Sequence, residues 1–475
     1  MEKTSNNEKA ERNTVRSRPL SKSLGLTLTT FIGIGTAIGA SIFVVTGNAI
    51  ASAGPAIILT FLFGAFSALT HGTSYAELGS CMPNSGGGYY FVSRAFKGFP
   101  PFLAGWFSWM GSVVDCAVGA IAFSLSVWYY VRWIEPFLLA VITLAVFALI
   151  NFRGVKSLGL SQLILTSILV LGIVFFIGSA AVNAEPARLS PFLPHGVLPM
   201  ILMVAYIFPT FAGYETVATM SEEVKIAGKN VYRAIFLTIL FSTILFVGLT
   251  IATLVAAPLE VYAESPTPIQ DAANYFIGPI GALLVAICSI TASLTTVNGA
   301  MAGATRVSYA LSRDGLLPSF FQKVHSRYHL PYRALLLSLL VSIVFVLTRS
   351  VELIVYMVSL GYIVTSILVG LSVIRLRTKE PHLYRPFKVP LYPLTTIVAI
   401  VTSAIMIPML SIEALVLGSV FAAVGIITLT LTKRIGGNEG QSVGQSRLLI
   451  RTKVNGRGGR RYFRKQACNI SPEKA

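Results

Sequence analysis

Apolar residues in this chain run in blocks rather than alternating with polar ones. Twelve blocks stand out, at residues 24–49, 55–80, 100–130, 136–151, 158–182, 197–221, 232–256, 277–304, 334–349, 352–374, 391–410 and 413–432. Blocks of about 20 apolar residues predict transmembrane helices, so the pattern predicts an all-α integral membrane protein with twelve transmembrane helices. Two blocks are interrupted. The first contains three glycines within Gly33-Ile34-Gly35-Thr36-Ala37-Ile38-Gly39-Ala40-Ser41-Ile42-Phe43, each costing about 1 kcal/mol relative to Ala in a helix interior. The sixth contains Phe208-Pro209-Thr210-Phe211-Ala212-Gly213-Tyr214-Glu215 at mid-segment. A break in a membrane helix frees N–H and C=O groups, and hydrocarbon cannot satisfy them. Such breaks survive where they are buried in protein or line a wet cavity. A pair of interrupted segments in corresponding halves of a chain points to a transporter binding site.

A break creates two new helix ends. After Gly39 the N–H groups of Ala40, Ser41 and Ile42 lie at the positive end of a helix dipole and suit a carboxylate. Before it, carbonyls around Thr36 to Ile38 suit an ammonium group or a small cation, and the second break adds carbonyls near Pro209 and Ala212. Together these match the two ends of an α-amino acid. Close packing through small residues is the other reading of the glycines; two broken spans five apart favour the site. Asp115, in the middle of the third block, and Glu215, just after the second break, are expensive inside a membrane and read as functional. Both are proton-coupling candidates, and Glu215 can also gate or meet a cationic substrate. Glu77, near the end of the second block, reads as a structural anchor, and His71 as a satisfied polar residue.

Composition agrees with the pattern. Charged residues make up 12% of the 475 and hydrophobic ones 54%, with a mean hydropathy of +0.73; soluble domains carry about 25% charged residues. The net charge of +18 invites a nucleic-acid reading, but 34 of the 37 Lys and Arg residues fall on one side of the twelve-span alternation and 3 on the other. By the positive-inside rule this predicts a multi-pass cell-membrane protein with both termini cytoplasmic, a lipid bilayer as partner, and no nucleic acid. The polar first 22 residues and the long first block do not match a cleavable signal peptide. Segment 1–22 reads as a cytoplasmic N-terminal segment, 23–433 as the membrane domain, and 434–475 as a basic, disordered tail able to touch anionic lipid heads. Cys81, Cys116, Cys288 and Cys468 lack metal-ligand spacing and read as structural thiols. Pro83–Tyr90 looks too glycine-rich for a helix and predicts a structured turn, while Lys379–Pro393 is stiffened by prolines. There is no Walker loop, GxSxG elbow or HExxH pair, which indicates no enzyme and no cofactor.

At the motif level, the glycine-rich stretch around Gly33–Phe43 resembles the first-helix motif of the amino acid–polyamine–organocation permeases. Ser74-Tyr75-Ala76-Glu77-Leu78-Gly79 through Pro83-Asn84-Ser85-Gly86-Gly87-Gly88-Tyr89 resembles their second-helix and loop motif. Phe211–Lys225, the Arg306 and Tyr309–Pro318 region, and Arg385-Pro386-Phe387-Lys388-Val389-Pro390 complete the likeness in order over residues 20–432. The resemblance implies a LeuT-like fold: a five-plus-five inverted repeat (24–182 and 197–374), broken helices 1 and 6, and two further spans at 391–432. It implies a secondary active transporter of amino acids or related amines working by alternating access, as proton-coupled symport or exchange, with sodium symport as the alternative. It places substrate contacts at Ala37, Gly39, Ala40, Ser41, Pro209 and Ala212. The sodium alternative would draw hydroxyls from Thr291, Ser293, Thr295 and Thr296. Three positions depart from the family pattern. Leu169 stands where some proton-coupled members carry a lysine. Pro209 takes the place of the usual gating aromatic, leaving Phe208 or Phe211 for that role. Gly88 stands where Glu is frequent. A channel would want a continuous pore instead of two broken helices, and a receptor would need a folded signalling domain that a short glycine-rich tail does not supply.

Overall fold

The computed structural model describes residues 22–84, 86–152, 158–262, 265–325 and 330–454, with side chains described throughout except at 158–161 and 435–454. Among these residues every regular element is helical, and the one extended pairing is a parallel bridge between Leu24 and Val224.

The first apolar block is two helices, α1 (Leu26–Ile38) and α2 (Ser41–Ala53). They part at Gly39, whose φ of +35° lies where a side chain is strained and glycine is not. A 3-10 turn leads into α3 (Ile57–Cys81), followed by the short α4 (Gly87–Ala95), α5 (Phe99–Trp128), α6 (Pro136–Phe152) and α7 (Leu158–Val182). The sixth block is α8 (Val197–Ile207), a 3-10 turn at Phe208–Phe211, and α9 (Gly213–Thr219). Then come α10 (Ala227–Ala256), α11 (Pro268–Phe276), α12 (Pro279–Arg313), α13 (Tyr332–Leu347), α14 (Val351–Lys379), α15 (Leu394–Met406) and α16 (Ile412–Val454). Eight helical stretches among the described residues are long and apolar enough to cross a membrane, and four shorter apolar helices accompany them. Leu62, Leu149, Leu171 and Leu340 stand exposed on the outer faces, as lipid contact requires.

Helix α5 runs through the middle, packed on α12 and α14. Small residues allow the approach: a Cβ on Gly361 of α14 would come within 2.8 Å of the Gly111 Cα and of the Phe107 carbonyl. Helices α1 and α9 cross as closely, since a Cβ on Gly213 would run into the Gly33 carbonyl and lie 2.7 Å from the Ala37 Cβ.

Two expectations need correction. The turn expected over Pro83–Tyr90 ends at Gly86, and α4 begins at Gly87. Its glycines serve approach as well as flexibility: a Cβ on Gly87 would strike the Thr219 hydroxyl, and one on Gly88 would lie 2.7 Å from Thr365 and 3.2 Å from the Tyr75 hydroxyl. That crowding also explains why a Glu has no room at Gly88. The polar tail expected to be disordered from 434 instead continues α16 to Val454. Extending an existing helix avoids the unfavourable nucleation step. Residues 455–475 and 1–21, and with them Cys468, lie outside the described residues.

The side of the bundle bearing α4 is held by ion pairs. Glu77 is fully buried. It accepts hydrogen bonds from Arg377 Nε at 3.0 Å and from the Val389 N–H at 2.8 Å, and pairs with Arg385 at 3.2 Å. It thereby pins the proline-stiffened segment 379–393, the anchoring role its position suggested. Tyr89 of α4 donates to Asp314 at the end of α12, at 2.6 Å. Burial, and then this bond, push the phenol well above its ordinary range, so Tyr89 remains a donor. The His71 Nδ1 lies 2.6 Å from the Ser67 carbonyl and Nε2 lies 2.6 Å from the Ser403 hydroxyl, so the ring is satisfied on both sides.

Candidate functional site

The break in the first block is short. The Gly39 N–H still donates to the Gly35 carbonyl at 3.1 Å, and the chain turns at Gly39 alone. The next donor, the Ala40 N–H, is held by the Thr296 hydroxyl of α12 at 3.0 Å. A Cβ on Gly39 would sit 2.9 Å from that same hydroxyl and 3.0 Å from the Thr36 carbonyl, so α1, α2 and α12 meet at one point. The break in the sixth block is tighter than an open loop. Pro209 starts a 3-10 turn whose i→i+3 bonds close locally. The Pro209 carbonyl accepts from the Ala212 N–H at 3.0 Å and the Ala212 carbonyl from the Glu215 N–H at 2.9 Å.

Directly below these breaks lies a cavity of about 130 Å³. Its walls come from α1 (Ile32, Thr36), α5 (Ser108, Ser112, Asp115), α9 (Glu215, Thr216, Thr219), α12 (Thr295 to Val307) and Tyr362 of α14. It reaches from buried Glu215 to exposed Arg306. Thus Asp115 and Glu215, exactly a hundred residues apart, line one space. The Tyr362 phenol lies within electrostatic range of both. Tyr75 of α3 approaches the Glu215 carboxyl, yet Glu215 Oε2 has no hydrogen-bond partner.

Beyond the breaks, α2 is closely packed. Pro268 of α11 packs onto Gly47 of α2, and Pro194 onto Gly54, so closely that a Cβ at either glycine would collide.

The expected site residues fall into two groups. Asp115 and Glu215 line the cavity. Ala37, Gly39, Ala40, Ser41, Pro209 and Ala212 cluster at the breaks but are buried and do not border it. Ala37 is covered by Gly213, and the open carbonyls expected at Pro209 and Ala212 are occupied by the turn's own bonds. Phe208 and Phe211 also face away. Phe208 lies edge-on to His71 with centroids 5.6 Å apart, and Phe211 lies 5.2 Å from Phe246. Leu169, expected where some family members carry a lysine, is buried in α7. Of the four α12 hydroxyls, Ser293 and Thr295 donate back to their own helix, while Thr296 serves the break.

Several cavity residues escaped the sequence reading, although a signal existed. Ser108, Ser112 and Asp115 stand at i, i+4 and i+7, a polar stripe on one helix face. Gly299, Gly303 and Arg306 repeat that spacing on α12.

The amino acid permease family matches the chain over residues 24–431, which takes in α1 through the apolar part of α16. The chain belongs to the amino acid permease family. It is 28% identical over 441 residues to the branched-chain amino acid permease BcaP of Bacillus subtilis (strain 168), covering 88% of this chain and 94% of that one. It is 28% identical over 415 residues to the methylthioribose transporter of the same organism, covering 81% and 88%. An uncharacterized transporter of Mycobacterium tuberculosis (strain ATCC 25618 / H37Rv) is 30% identical over 420 residues, with 86% and 91% covered. The permease is therefore a multi-pass membrane transporter and not an enzyme.

Proposed function

We propose that this permease is a secondary active transporter that moves amino acids or related amines across the cell membrane by alternating access, driven by proton symport or by exchange. The observation that carries the reading is a cavity that reaches from exposed Arg306 to buried Glu215 beside two helix breaks. Close packing of Pro268 on Gly47 and of Pro194 on Gly54 supports it, because alternating access opens a site to one side at a time.

In this reading the twelve apolar blocks are twelve spans arranged as two inverted repeats of five plus two further helices. The Lys and Arg distribution puts both termini, and the cavity mouth, on the cytoplasmic side. Ala37, Gly39, Ala40, Ser41, Pro209 and Ala212 receive the substrate's ammonium and carboxylate once α9 draws back from α1. The Ala40 N–H then exchanges the Thr296 hydroxyl for the substrate carboxylate. Tyr362 takes the gating role, because Phe208 and Phe211 pack into the scaffold. Glu215 alternates between wet and dry surroundings as the cavity opens and closes, so it can take up a proton on one side and release it on the other. Asp115 is the other carboxyl placed for that task.

Sodium coupling is a second reading, supported by the Thr296 hydroxyl facing the Thr36 carbonyl across Gly39. Replacing sodium by choline at fixed pH separates the two, and unchanged uptake removes sodium. The central test is saturable counterflow in proteoliposomes after a thermal-shift panel of amino acids, polyamines and methylthioribose. Single-channel current without counterflow would refute the mechanism. Stabilisation by methylthioribose and by no amino acid or amine would refute the substrate class.

A further inference from the structure

We propose that Asp115 receives a second ammonium group at the far end of the substrate's side chain, making the permease selective for cationic over neutral amino acids. The inference rests on the transport reading above and adds to it the chemistry of the side-chain pocket.

Among the described residues the cavity is lined by two carboxylates and by no cation at their depth. No cationic side chain among those residues acts on Asp115. Ion pairs among the described residues engage Glu77, Glu135, Glu185, Asp314 and Glu380, and neither Asp115 nor Glu215. Arg306, the cation on the cavity wall, stands exposed at the mouth. Glu215 is only 7% exposed and its Oε2 has no partner. A carboxylate held this deep is costly unless something compensates it. One proton on Glu215 compensates one group. Asp115, half-buried on the same cavity, is neutralised either by a proton of its own or by an ammonium, and the ammonium pairs with it while it stays charged.

Size and depth agree. The cavity of about 130 Å³ has room for several water-sized groups, enough for the end of a side chain. Helix α5 fixes the depth. A Cβ on Gly119 would lie 3.3 Å from Thr296, the residue that holds the helix break, and Asp115 is four residues nearer the mouth on the same helix. Four residues advance about 6 Å along the axis, the length of an extended four-carbon stem. The wall between is mixed. Ile32, Gly299 and Ala300 line it beside Thr36 and Thr295, while Ser108 and Ser112 share the stripe of the carboxylate. A narrow mixed wall ending in a carboxylate fits a long aliphatic cation, whose stem is apolar and whose tip is charged.

The test compares lysine with norleucine, which keeps the stem and lacks the ammonium, on full-length protein in proteoliposomes at fixed pH. Lysine is expected to show a kcat/KM at least tenfold above that of norleucine. Asp115→Asn should cut the lysine-to-norleucine ratio at least tenfold, and Asp115→Glu should recover part of it. Equal handling of the two by the wild-type protein would overturn the assignment without any variant having to fold. So would a ratio unchanged in Asp115→Asn. If the wild-type protein carries neither these two nor any other amino acid, the transport reading itself fails, a result distinct from norleucine matching lysine.

Discussion

Gly299 offers a way to close the cavity without disturbing the bundle. It lies within α12 and borders the cavity, and a Cβ placed on it would meet nothing within 4 Å. Leucine at this position adds four carbon atoms to the wall of a cavity of about 130 Å³. Gly299→Leu should therefore obstruct it. The helix gains at the same time, because glycine in a helix interior is about 0.8–1 kcal/mol less favourable than a good helix former. The expected outcome is an unchanged or slightly higher melting temperature in detergent, with counterflow in proteoliposomes reduced to the level of empty vesicles. Gly299→Ala adds one carbon and should fall between, keeping part of the counterflow. A folded Gly299→Leu protein that transports at the wild-type rate would refute the placement of the substrate path along this face of α12.

Three further outcomes test the other parts of the site. Glu215→Gln should flatten the pH dependence of uptake while binding persists, whereas Asp115→Asn should leave the profile's shape alone; the reverse pattern in the pH profiles would show that the wrong carboxylate has been given the proton. Glu77→Ala should cost about 3–5 kcal/mol, because it removes the carboxylate partner of buried Arg385, leaving that charge only carbonyl acceptors, and unpairs the Val389 N–H; an unchanged melting curve would contradict the anchoring role. Gly39→Val should lose stability as well as uptake. Its φ of +35° costs a side chain about 1–2 kcal/mol, and the added Cβ crowds the Thr296 hydroxyl at 2.9 Å. Thr296→Val is the milder companion, stranding the buried Ala40 N–H at about 1–3 kcal/mol; normal thermal stability in both variants would argue against the three-helix junction.

Much of the architecture could be read directly from the chain because a bilayer leaves an apolar segment few options. With no water to satisfy the backbone, each block must close its hydrogen bonds internally as helix, and the described parts of all the blocks are helical. The interruptions were visible for the same reason. Glycine weakens a helix and Pro209 removes a backbone donor, although Gly33 and Gly35 stay within α1 and the chain breaks only at Gly39. Glu77 and His71 were readable as polar groups needing partners, although not which partners.

Tertiary structure decided what those features do. The break at Gly39 is satisfied by Thr296, 256 residues distant from Ala40, and no local pattern encodes that bond. Gly87 and Gly88 looked like loop formers in isolation and proved to be contact points, because Thr219 and Thr365 lie against them. Phe208 and Phe211 carry the right chemistry for a gate, but the rotation of the 3-10 turn aims them at His71 and Phe246. Asp115 and Glu215 were singled out separately, each for the cost of a charge in a membrane. Only the placing of α5, α9 and α12 around one space brings them together. Hydrophobic periodicity determines which segments are buried in the membrane, while the relative rotation and depth of packed helices determine which side chains share a space. The second depends on contacts between residues far apart in the chain, so it is settled only when the bundle is assembled.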